Sequence, residues 1–112
     1  MGLDVVLYRL VRSGPGRPPS PVATQLVADP DDLLLDLLTR GRGGGATPLL
    51  DRIDPLGELV VSAERALQLL TELDRLAEVA RTREETDRVR QVVTIVRRCV
   101  RERDLEIRFE AD

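Results

Sequence analysis

The chain of 112 residues carries 17 Arg, no Lys and no His against 20 Asp and Glu, a formal charge of −3, and is 42% hydrophobic without an apolar run long enough to cross a bilayer. Without His there is no His-based nucleophile dyad, no imidazole base and no His metal ligand. Without Lys there is no Schiff base or phosphate-loop lysine, and a single Cys makes neither an intrachain disulfide nor a thiolate zinc site.

Leu3 to Val11 alternates imperfectly and reads as a central strand buried on much of both faces. Ser13 to Pro21 holds four prolines and two glycines in nine residues and reads as a flexible, irregular loop. Val22, Thr24 and Leu26 alternate briefly, a candidate hairpin partner. Asp29-Pro30-Asp31-Asp32 has the composition of a helix start, with Asp29 as N-cap and Pro30 in the first turn; Leu33, Leu34, Leu37 and Leu38 supply its apolar stripe and Gly41 its end. Residues 41–47 read as a second flexible loop. Its Gly41 to Ala46 string formally matches a dinucleotide-binding fingerprint, but it follows a helix and leads into Pro48, the wrong context.

Asp54-Pro55-Leu56-Gly57 fits a type I turn, followed by a short strand over 59–61. Ser62 is placed to cap a helix reaching about Ala80, with Ala66, Leu70, Leu73, Ala77 and Ala80 as its core stripe. Thr82 and Glu85 form a capping box for a last helix whose stripe is Val89, Val92, Val93, Val96, Cys99 and Val100, with a Glu84–Arg88 ion pair one turn apart. Leu105, Ile107 and Phe109 alternate with charged residues, a strand apolar on one face. The sum is a single α+β domain over 1–112: a small, mostly antiparallel sheet of three or four strands and about three helices, the two long C-terminal ones packed on one face.

The segment Ile53-Asp54-Pro55-Leu56-Gly57-Glu58 resembles the Ile-Asp-Pro-Tyr-Gly-Asp turn of a family of small uncharacterised bacterial proteins. Leu70 to Leu76, Arg97-Arg98-Cys99 and the closing alternation through Phe109 are similar to that family's helices and last strand. The likeness spans roughly 48–112, with Leu56 and Glu58 where the pattern has an aromatic residue and Asp. It implies the α+β fold and a bacterial origin, and no activity. The exclusive use of Arg over Lys suits a GC-rich bacterium.

Two groups of residues stand out as binding candidates. Asp51, Asp54, Glu58, Leu59 and Val61 form an acidic turn and adjoining strand, read as a protein-binding edge; a carboxylate-based enzyme or small-ligand binder using 51–58 is the alternative. Arg90, Arg97 and Arg101, with Arg83, fall near one face of the last helix, a candidate anion site on a surface that also carries Glu84, Asp87 and Glu102. Cys99, on an apolar stripe, reads as buried and inert. The expectation is a cytoplasmic, non-catalytic interaction module, possible roles being an immunity- or antitoxin-type inhibitor or an accessory factor. A basic protein is the favoured partner and a homodimer of purely structural role the further alternative. No cofactor, catalytic residue or metal site, and no nucleic-acid or membrane partner, is expected.

Overall fold

The computed structural model describes residues 2–53 and 57–111. Strands β1 (Leu3–Val11), β2 (Ser20–Val27), β3 (Glu58–Ser62) and β4 (Leu105–Ala111) form one antiparallel sheet in the order β2-β1-β4-β3. Helices α1 (Leu33–Gly41), α2 (Ala66–Ala77) and α3 (Arg83–Arg101) cover one face, giving the expected α+β architecture. Leu3, Val5 and Leu7 of β1, Leu59 and Val61 of β3, and Leu105, Ile107 and Phe109 of β4 point into that layer and are buried. Alternation of period two makes the choice, since every second side chain of a strand shares a face.

The sheet has no second covering layer among the described residues. The burial read for both faces of β1 is therefore a property of one face plus close side-chain neighbours on the other: Val6 is 5% exposed, while Tyr8 and Leu10 are half-buried. Strand β2 begins at Ser20, inside the Pro-rich stretch read as irregular, with Pro21 opposite Leu10. Proline is admissible there because β2 is an edge strand with one side of its backbone unpaired. A bulge between Leu7 and Tyr8 interrupts the register, and Thr24 Oγ1 donates to the Leu7 carbonyl at 3.1 Å.

Helix starts depart from expectation in two places. Asp32, not Asp29, precedes α1, with a left-handed φ of 57° and no side-chain cap bond. The Asp29 carboxylate still serves the helix by accepting from the Leu34 and Leu35 amides at 2.9 and 3.2 Å, reaching forward from a turn. Ser62 makes no cap bond either: a 3-10 turn over Ala63–Arg65 intervenes, and α2 stops at Ala77. By contrast, both halves of the Thr82/Glu85 capping box are present.

The buried stripe of α2 is Ala66, Leu69, Leu73 and Leu76, rotated from the expected one; Leu70 and Ala77 lie at its margin. In α3, Ile95 joins the core, whereas Val93 is marginal and Val100 is 38% exposed. The apolar arcs of both helices are wider than the core requires. Arg88 pairs with Asp29 and Asp31 rather than with Glu84.

Candidate functional site

Among the described residues three carboxylates are buried, Asp29, Glu72 and Glu85, and each accepts at least two hydrogen bonds. Asp29, fully buried, accepts from the Leu3, Leu34 and Leu35 amides and from Arg88 of α3, so one side chain ties β1, α1 and α3. Gly2 packs against it so closely that an added Cβ would lie 1.7 Å from the Asp29 carbonyl oxygen. Glu72 accepts from the Leu50 amide at 2.9 Å and from Gln68 at 2.8 Å. Glu85 receives both guanidinium nitrogens of Arg40 and the amides of Arg81 and Thr82. The Arg40 bond, first, and these amides lower its pKa to about 2. Held in this way, Glu85 is a poor proton shuttle and a good fastener.

The 51–61 candidates separate. Asp51 turns toward its own loop, accepting from Thr47 Oγ1 at 3.0 Å and from the Gly43 amide at 3.5 Å. This pins the glycine-rich segment, whose start is held by Arg42 on the Ile53 carbonyl. Asp54, with the proposed turn, lies outside the described residues. Leu59 and Val61 are 7% and 0% exposed and belong to the core, which removes their side chains from any docking surface. A short edge strand does not show in its sequence which face the helices cover. Among the described candidates only Glu58 lies on the outward face of the sheet. Cys99 is buried, with its thiol raised to about 11 by burial first and by Glu106 second.

Glu58 belongs to a surface that reading the strands one by one could not assemble, the uncovered sheet face. Register places Asp4, Glu110 and Glu58 directly opposite one another across β1, β4 and β3. The next row holds Leu26, Val6, Arg108 and Val60, and beyond it lie Ala23, Tyr8, Glu106 and Ser62. Leu26 is 59% and Val60 46% exposed. Arg108 sits 4.6 Å from the Tyr8 ring centroid and bonds Glu106 through two nitrogens, while Tyr8 donates to Glu110 at 2.8 Å. The bond to Glu110 is the main reason the Tyr8 pKa is raised. An aromatic and a guanidinium so held lose little freedom on docking, and these are the side chains that anchor protein interfaces.

On the opposite layer, α2 and α3 leave a groove between their outer flanks. Two adjoining cavities of about 330 and 450 Å³ share Thr94 and Arg97. Leu70, Ala77, Val93 and Val100, the apolar surplus of the two helices, line them. The arginines are Arg90, Arg97 and Arg101, the three singled out in the sequence, facing a single carboxylate, Asp74. Among the described residues none of the three guanidiniums forms an ion pair or hydrogen bond, and Arg83 does not line the groove. Glu102, expected to neutralise this surface, is engaged instead by Arg98 and Arg9.

No family model, curated protein or solved structure matches the chain. Among the described residues no helix is long and apolar enough to cross a membrane, and no cluster of three potential metal ligands occurs.

Proposed function

We propose that the protein is a non-catalytic interaction module that presents its uncovered sheet face to a basic partner. The observation that carries this reading is the acidic row Asp4, Glu110 and Glu58. Like charges directly opposite on neighbouring strands destabilise a sheet, by a few tenths to about 1 kcal/mol per pair. The cost is relieved when a cationic surface covers the row. Beside it, Leu26, Val6 and Val60 supply apolar area and Tyr8 and Arg108 supply preorganised anchors. Four carboxylates and one arginine on this face would steer a basic partner at low ionic strength.

The reading includes a cytoplasmic setting in a bacterium, which the single protonated thiol suits. It also includes kinship with the small bacterial proteins that the 53–58 segment resembles, and a role as an immunity- or antitoxin-type inhibitor or accessory factor. Affinity purification from the native host with the wild-type chain and with Glu58→Lys and Val60→Asp tests it. The expected result is a basic protein retained by the wild type, weakened by salt and lost with both variants. A partner indifferent to ionic strength and to both changes overturns it. If the wild type instead doubles its mass with concentration and Val60→Asp abolishes this, the face is taken by a second copy.

A further inference from the structure

We infer that the α2–α3 groove is a second docking site, for an acidic amphipathic helical segment of another protein. It is independent of the sheet face, on the opposite layer and of opposite charge. The floor formed by Leu70, Ala77, Val93 and Val100 calls for apolar side chains, and Arg90, Arg97 and Arg101 along one wall call for carboxylates. In a chain of net charge −3 this is a local reversal of sign, three arginines against Asp74.

The spacing selects the form of the occupant. From Arg90 to Arg101 the helix rises roughly 16 Å, about three turns, so a small anion reaches only part of the set. Arg97 and Arg101, four apart, are neighbours on the helix surface and can close on one carboxylate together. Arg90 lies two turns away, roughly 10 Å, which matches a second carboxylate seven residues along a partner helix. A trough between two packed helices takes the side-chain ridge of a third by the ordinary rules of helix packing. The occupant is therefore a segment of about three turns with apolar residues at i, i+3 or i+4, and i+7, and Asp or Glu seven apart on its flank.

The test uses a synthetic peptide of this pattern, a scrambled peptide of the same composition, and inorganic phosphate, each titrated against the full-length protein by fluorescence anisotropy or calorimetry. The patterned peptide should bind saturably and gain helicity. Affinity should fall at least tenfold with Arg97→Glu/Arg101→Glu and fall with rising salt, while Glu58→Lys on the sheet face should leave it unchanged. Because both arginines are exposed, folding of the double variant is checked by circular dichroism. Arg90→Gln gives a milder second variant, expected to weaken binding several-fold. Failure of the patterned peptide to bind, equal binding of the scrambled peptide, or equal binding by the reversed variant overturns the inference. So does saturable binding of phosphate without the peptide, which would make the groove a small-anion site.

Discussion

The two flanks of α3 put the same residue type to opposite uses. On the flank toward β2 and α1, Arg88 is 15% exposed and anchored on Asp29, and Arg98 bonds Glu102 and Gln25. On the flank toward α2, Arg90, Arg97 and Arg101 stand along an apolar trough without partners among the described residues. Arg88 on the first flank closes the fold; the three on the second are left over from folding. The difference comes from the carboxylate opposite. A buried carboxylate must be paired because an isolated charge out of water is costly, whereas an exposed guanidinium is satisfied by solvent.

The comparison is broken most directly at its strong end. Asp29→Ala should cost about 3–5 kcal/mol or prevent folding, since it takes the acceptor from three backbone amides and leaves Arg88 only the exposed Asp31. A loss under about 1 kcal/mol in chemical denaturation would mean that water reaches this corner and that the flanks differ less than proposed. The Arg40–Glu85 pair gives the next effect, read as pH dependence. Because the folded pKa of Glu85 lies at about 2, below its ordinary 4.5, its stabilisation is fully present above 4.5 and drains away as pH falls toward 2. Glu85→Gln should flatten that part of the stability curve, and an unchanged acid limb would refute the assignment.

Thr82→Ala removes one half of the capping box and should cost about 1 kcal/mol, visible as a lower denaturation midpoint at constant slope. The smallest effect is expected at the free flank, where Arg97→Gln and Arg101→Gln should each shift stability by no more than about 0.5 kcal/mol. A larger loss would show that these arginines serve the fold and would sharpen the comparison against the docking inference.

Local signals were readable where the chemistry is local. The Thr82/Glu85 box, the helix end at Gly41 and the one-sided alternation of β4 depend on neighbours in the chain, and all stand in the structure. The stripe of α2 read from the sequence is off by about one position because Leu69 and Leu70 satisfy helical periodicity nearly equally well, whereas that of α3 holds at Val89, Val92, Val96 and Cys99 and misses Ile95. Only the packing partners choose between them. Of the residues read as core, Leu70, Ala77 and Val93 pack at its margin and Val100 is exposed, and these four line the groove. A stripe broader than a core needs was therefore the available sign of that site. Leu59 and Val61 erred in the opposite direction, because a five-residue strand does not declare which face is covered.

By itself the sequence determined the α+β class, the arginine stripe and the narrow inventory left for chemistry, because composition and short-range periodicity are properties of the chain alone. Tertiary structure decided the rest. Asp4, Glu58 and Glu110 are joined into one acidic row by strand register, and Asp29 meets Arg88 across 59 residues of sequence. Both facts rest on which strands and helices become neighbours, a choice made by burial of the whole chain at once and carried by no single segment.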